Sequence, residues 1–134
     1  MPARSGVLLA VVCAAVVAGC GTSDRSLVQS KVEQLQSATA HHAFRTLCTQ
    51  VLAPSLLAHL TDYGIPCEKA MQLGLGHVTQ PALAIGRIEV HGDTASVDTI
   101  TTAKGQEASL DAIELVKTSA GWRVSSLGTP TVPK

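Results

Sequence analysis

The sequence has little of what would mark a nucleic-acid-binding protein or a site lined by aromatic rings. Its 134 residues carry 10 Lys and Arg against 10 Asp and Glu, so the formal net charge is zero. Nucleic-acid-binding domains carry a basic excess, which is missing here. Aromatic residues make up only 2% of the chain, as Phe44, Tyr63 and Trp122. These are too few for a base-stacking platform or an aromatic ligand cage, and we expect no nucleic-acid partner.

Recognisable catalytic and metal-binding motifs are also missing. The chain has no Gly-x-Ser-x-Gly elbow and no Cys-x-x-Cys pair. Gly74-Leu75-Gly76 is too short for a phosphate loop and lacks the lysine that follows one. His41 and His42 are adjacent, so on a helix they diverge by about 100° and form no ligand pair. We therefore expect no catalytic residues, no metal and no cofactor.

The chain does have a leader of the kind used for export. Residues 7–19 form an uncharged, mostly apolar run behind Arg4, shorter than the about 20 residues of a membrane-spanning helix. Such a run is typical of a secretory signal. It ends in Val17-Ala18-Gly19-Cys20, which resembles the bacterial lipobox, whose cysteine receives a diacylglyceryl group and becomes the first residue after cleavage.

This resemblance implies a signal peptide over 1–19, a lipid on Cys20 and a tether over 20–25. The lipid would be the contact with the membrane and would place the protein on the extracytoplasmic face of the cell membrane. An ordinary signal peptide that happens to contain a cysteine is the alternative.

Two cysteines remain, Cys48 and Cys67. An even pair in an exported protein favours a disulfide, because the compartment is oxidising. A catalytic thiol or a metal pair is the rival interpretation. The spacing gives no support to a metal site.

Three helices are predicted first. The first spans 26 to about 50, with Ser26 to Gln29 as a possible capping box and some slippage of the apolar spacing around 38–40. Pro54 opens the second helix, which Gly64 ends. Pro66 opens the third, which Gly74 ends.

Four strands follow in an antiparallel meander. The first is 83–91, and the Gly92-Asp93 turn sets Val90 opposite Ala95 and Ile88 opposite Val97. On the other face the same register pairs Arg87 with Asp98 and Glu89 with Ser96.

The third strand is 107–117 and the fourth is 122–127, with Trp122 and Val124 facing the core. A strict two-residue turn at Lys104-Gly105 would oppose two aspartates. A one-residue bulge instead puts Ile113 opposite Val97 and Leu115 opposite Ala95.

Particular segments of this pattern also carry a resemblance to a known superfamily. They are Leu47-Cys48, Pro66-Cys67-Glu68, the hairpin 88–97, and the closing runs 114–117 and 121–125. Over about 26–127 the chain resembles the nuclear-transport-factor-2-like (SnoaL-like) superfamily, and more closely small secreted lipoproteins of actinobacteria with a helix-to-helix disulfide. Three helices followed by a four-stranded antiparallel meander predict an α+β fold. The resemblance implies that these N-terminal helices pack on one face of a curved sheet. It assigns 26–127 to this domain and 128–134 to a flexible tail.

Members of that superfamily include isomerases, dehydratases, binding modules and catalytically silent domains, and many leave a pocket between helices and sheet. We expect a non-catalytic, membrane-anchored module that binds a small apolar ligand or an envelope protein partner. The alternative is a small isomerase- or dehydratase-like enzyme using Asp62, Tyr63 or Asp98. A third possibility is a structural role through sheet-to-sheet dimerisation on the Arg87–Asp98 face, so the protein is a monomer or a homodimer.

Overall fold

Helices come first along the chain and one antiparallel sheet follows. The computed structural model describes residues 23–128; the signal peptide 1–19, Cys20 and the tail from 129 onward lie outside them. The helical part comprises α1 (Asp24–Ala40), α2 (Phe44–Thr46), a single π-helical turn (Leu47–Val51), α3 (Pro54–Asp62) and α4 (Cys67–Leu75). The strands are β1 (Ala82–His91), β2 (Thr94–Thr102), β3 (Ser109–Thr118) and β4 (Gly121–Ser126), paired in the order β1-β2-β3-β4. The predicted α+β class and four-stranded meander are confirmed, whereas the predicted count of three helices is wrong.

Helix α1 begins earlier than the sequence predicts. Ser23 is its N-cap, and its Oγ accepts a hydrogen bond from the backbone N–H of Ser26 at 3.2 Å. The cap satisfies an otherwise unpaired helix donor, and Asp24 in the first turn complements the helix dipole. The predicted capping box at Ser26 is therefore wrong, and the last two residues of the predicted tether, Asp24 and Arg25, are helical.

The predicted single helix over 26–50 is interrupted. Helix α1 ends at Ala40, and His42 adopts a left-handed backbone with φ of 50°. In a continuous helix Leu47, nine residues after Ala38, would point about 180° away from it. The break allows Leu47 to join the same buried cluster as Ala38. The slippage of spacing around 38–40 was the sign of this break.

The turns around α3 agree with the sequence, but the end of α4 does not. Pro54 occupies the first turn of α3, and Gly64 beyond its end has φ of 69°, which glycine adopts without strain. Helix α4 continues through Gly74 and ends at Leu75, so the predicted end at Gly74 is wrong.

The Cys48–Cys67 disulfide is confirmed, with Cα atoms 6.0 Å apart. It joins the π-helical turn to the first residue of α4. The bond therefore ties α4 to the helical segment that carries Leu47.

The β1–β2 hairpin has the predicted register near its turn and a bulge further away. Ile88 pairs with Val97, and Val90 with Ala95, as predicted. Between Ile85 and Ile88 the register shifts.

The predicted Arg87–Asp98 pair is wrong because the bulge lies there. Arg87 Nη1 is instead 3.6 Å from Glu89 Oε1, in an exposed ion pair along its own strand. A Cβ on Gly86 would lie 3.2 Å from the carbonyl oxygen of Asp98, so the backbones approach closely where glycine sits. The face considered for sheet-to-sheet dimerisation therefore contains no Arg87–Asp98 pair.

Strands β2 and β3 pair as predicted, with Val97 opposite Ile113 and Ala95 opposite Leu115. The connection differs, because β3 starts at Ser109 rather than at residue 107 and the loop spans 103–108. The register is the one predicted, but it arises from this longer loop rather than from a one-residue bulge.

The core lies between the helices and one face of the sheet. Its fully buried large side chains are Val28, Val32, Leu47, Val51, Val97, Leu115 and Val124. Trp122 is buried beside them, and its indole N–H donates to Asp24 Oδ1 at 3.1 Å. Trp122 and Val124 therefore face the core, as the sequence predicts.

Candidate functional site: a cavity at one end of the sheet

A cavity of about 320 Å³ lies between the C-terminal half of α1, the end of α4 and the first three strands. Its apolar lining residues are Leu35, Leu75, Val78, Pro81, Ala82, Leu83, Ala103, Ile113 and Leu127. Its polar lining residues are Gln36, Thr39, Thr101, Thr102, Gln106, Glu107, Ser109 and Asp111. The volume lies at the lower end of the range of small-molecule sites, and the mixed lining is typical of them.

Polar side chains from both α1 and the sheet line part of the cavity. Helix α1 presents Gln36 and Thr39 there, and the Thr39 hydroxyl is engaged with the carbonyl of Leu35 at 2.8 Å. The sheet presents Thr101 and Asp111 on the same side.

Asp111 is the charged group in the sheet wall of the cavity. Its Oδ2 accepts a hydrogen bond from the Thr101 hydroxyl at 2.9 Å and another from the Ser109 hydroxyl. Its backbone carbonyl accepts from the buried Thr99 hydroxyl at 3.3 Å. No residue within 23–128 donates a hydrogen bond to Asp111 Oδ1. The carboxylate is thus held in place through Oδ2 by two hydroxyl groups.

Sequence reasoning did not identify Asp111 as a site residue. The signal is its position in β3, where strand alternation puts Asp111 on the same face as Ile113 and Leu115. A carboxylate in register with core residues stands out, because buried carboxylates need compensating partners.

The residues considered for catalysis lie elsewhere. Asp62, Tyr63 and Asp98 are all exposed, with Tyr63 80% accessible. None of the three lines the cavity. The structure therefore gives none of these three side chains the enclosed position that the enzymatic alternative requires of them.

Two of the histidines, His41 and His42, lie against backbone carbonyl groups. His41 Nδ1 lies 2.8 Å from the Ser37 carbonyl, and His42 Nε2 lies 3.1 Å from the Val78 carbonyl. The rings of His42 and Phe44 stack with centroids 5.6 Å apart. Within residues 23–128 no three His, Cys, Asp or Glu side chains converge as metal ligands would.

A second, smaller cavity of about 260 Å³ lies beside Lys31 and Trp122. The Lys31 ammonium donates to Gln34 Oε1 at 2.7 Å and to the carbonyl of Gln50 at 2.9 Å, and Arg123 donates to the same carbonyl. Burial, and then the charge of Arg123, lowers the pKa of Lys31. Both cations are engaged by acceptors of the chain itself, so they serve to hold the π-helical turn against α1 and β4.

In the part of the chain that the structure describes, no helix is long and apolar enough to cross a membrane. This finding concerns residues 23–128 alone.

Comparisons with known proteins give information on the fold of this chain but not on its function. No protein-family model matches the chain, and no curated protein matches it. Among solved structures, the Kfla4162 protein from Kribbella flavida is similar, with a TM-score of 0.57 and 19% sequence identity. The likeness covers 81% of this chain and 91% of that one. At this identity the similarity shows a shared fold.

Proposed function

We propose that this protein is an exported lipoprotein whose domain is a non-catalytic binding module for a small apolar ligand. The observation that carries the proposal is the 320 Å³ cavity between α1 and the sheet. Solvent-accessible apolar walls with a few placed polar groups are what small-molecule sites require.

The cone fold of the nuclear-transport-factor-2-like superfamily is part of this proposal. The bulge between Ile85 and Ile88 supports a curved sheet, because a bulge bends its strand and increases the local twist. A second register shift lies between Glu114 and Leu115, in the pairing of β3 with β4. Bending of this kind draws the sheet around the helices and leaves room for a pocket at one end.

Attachment through a lipid on Cys20 sets the location in the proposal. Only four positions separate Cys20 from Asp24, where α1 begins. An extended chain of that length reaches about 14 Å, so the domain would sit next to the extracytoplasmic face of the membrane.

Native mass spectrometry of the protein purified from its own membranes in mild detergent tests the proposal. The expected result is a bound small molecule on a chain that begins at a lipidated Cys20. Ala103→Trp would place an indole in the cavity and remove the ligand. Ala84→Trp, on an exposed β1 position away from the cavity, is the matched control and retains it.

A chain that copurifies with an envelope protein, and with no small molecule in either variant, would contradict the small-ligand proposal and assign the surface to a protein partner. An unmodified Cys20 would contradict the anchor. The same spectra report whether the protein is a monomer or a homodimer.

A further inference from the structure

The charge of the cavity lining has one sign. Glu107 and Asp111 both line it, and no Lys, Arg or His is among its lining residues within 23–128. Lys104 belongs to the same loop as Glu107 but does not line the cavity. A site with this distribution attracts cations and repels anions.

The position of Asp111 sharpens that preference. The carboxylate is half-buried in a wall that also contains Ile113 and Leu83. Taking a carboxylate out of water costs free energy unless charged or hydrogen-bonding partners compensate. Thr101 and Ser109 satisfy Oδ2, which leaves Oδ1 as the acceptor for a group from outside the described chain.

The apolar part of the lining defines the rest of the ligand. Leu35, Leu83 and Ile113 face the same space as Asp111. A molecule that satisfies both regions has an apolar body and a cationic hydrogen-bond donor at one end. A primary ammonium offers three N–H donors on a compact charge.

We infer that the cavity binds an apolar molecule bearing one protonated amine, with the ammonium held at the Asp111 carboxylate. The inference rests on the proposed function, since it names the chemical class of the ligand for the same cavity. Asp111 confers the preference for charge, and the aliphatic walls bind the body of the molecule.

Three probes of matched shape test the inference: cyclohexylmethylamine, cyclohexylmethanol and cyclohexanecarboxylate. They are titrated into the full mature chain in detergent micelles at neutral pH, where the amine is cationic and the acid anionic. Binding is followed through the backbone amide signals of Thr101 and Ile113 by NMR, because signals resolved by residue separate cavity binding from partition into micelles. We expect the amine to bind about two- to fivefold more tightly than the alcohol, the range of a partly screened ion pair, and the carboxylate to bind most weakly.

Asp111→Asn keeps the shape and the hydrogen-bond acceptor but removes the charge. This variant is expected to bind the amine and the alcohol equally, with its affinity for the alcohol unchanged. Asp98→Asn, on the exposed face of β2, is the matched control and should keep the preference for the amine.

Equal binding of amine and alcohol to the unaltered protein would overturn the inference without any variant. A preference for the amine that survives Asp111→Asn would overturn the role of Asp111. Binding of all three probes with equal strength would leave the proposed binding function standing and remove the charge selectivity. If no probe shifts the cavity signals, the proposed small-ligand function fails and the inference fails with it.

Discussion

The two ends of the space between α1 and the sheet are packed differently. At the filled end, Val28 and Val32 on α1 have no exposed surface and belong to one buried cluster with Val124. At the cavity end, about two turns further along the same helix, Gln36 and Thr39 face an open volume of about 320 Å³. One helix and one sheet thus form a close-packed core at one end and a pocket at the other.

The difference follows from the side chains along β3. Leu115 and Ile113 are buried aliphatic residues, whereas Asp111 two positions earlier carries a carboxylate that pairs with hydroxyl groups. Burying a carboxylate against apolar side chains costs free energy, which favours an open volume opposite Asp111. Also at the filled end, Leu52 is buried and forms an isolated parallel β-bridge with Val124.

Among the changes that test this comparison, Leu115→Ala is expected to destabilise the protein most. The side chain is almost fully buried at the filled end, so its truncation leaves a new cavity. We expect a loss of about 2–5 kcal/mol in the free energy of unfolding, measured by urea denaturation. The control is Leu73→Ala on the exposed face of α4, with an expected change within about 0.5 kcal/mol. A loss at Leu115 no larger than that of the control would show that the filled end is loosely packed.

Replacing both Cys48 and Cys67 by Ala is expected to cost nearly as much. The disulfide closes a separation of 19 positions, and in the chain-entropy model such a loop is worth about 3 kcal/mol. The bond also anchors α4, whose Leu75 forms part of the cavity wall. Urea denaturation of the double variant, beside the wild type with and without reductant, measures the loss. If the oxidised wild type and the double variant unfold at the same urea concentration, the disulfide does not stabilise the fold.

Leu83→Ala, at the cavity end, is expected to cost about 1 kcal/mol, because the side chain is half-buried and already borders open space. The comparison with Leu115→Ala uses the same chemical change at the two ends. Urea denaturation of both variants under the same conditions provides it. Equal losses at the two positions would mean that the cavity is closed in solution and would remove the contrast between the ends.

The smallest of the expected effects is that of Asp24→Asn, which should weaken the dependence of folding stability on pH. The hydrogen bond from the Trp122 indole, and then that from Lys117, lowers the pKa of Asp24 below 3.8. Since the folded pKa lies below the unfolded one, the stabilisation is present above about pH 5 and is lost as the pH falls through 3.8 toward the folded pKa.

The thermal midpoint of the wild type should therefore fall more between pH 6 and pH 3 than that of Asp24→Asn. Asp98→Asn, on the exposed face of the sheet, is the control and should follow the wild type. Parallel curves for the wild type and Asp24→Asn would show that the Trp122 contact does not stabilise the charged carboxylate.

The sheet was predictable to a large extent, because its register depends on short-range rules. The Gly92-Asp93 turn sets the pairing of Ile88 with Val97, and strand alternation then places the core residues. The predicted Arg87–Asp98 pair was wrong because of a bulge that the turn residues do not indicate. This bulge depends on how closely the backbones approach at Gly86.

The helical part was less predictable. Both segments on either side of the break at His42 have apolar spacing, and spacing alone does not say whether two helices share one axis. The break is favoured by the burial of Leu47 and Val51 against residues distant in sequence. The resemblance implied a pocket between helices and sheet, but its lining residues were not predicted for the same reason, since its walls come from α1, α4 and three strands.

The sequence by itself determined the antiparallel meander and the turns at Gly64 and Gly92, because each depends on residues that are close in sequence. It also determined the cysteine pair, because only two cysteines follow Cys20. The tertiary structure alone decided where α1 ends, that the sheet and helices separate at one end, and that Asp111 faces the space between them. These features depend on which distant side chains meet and on whether they fill the volume between them. A linear pattern carries no measure of that volume.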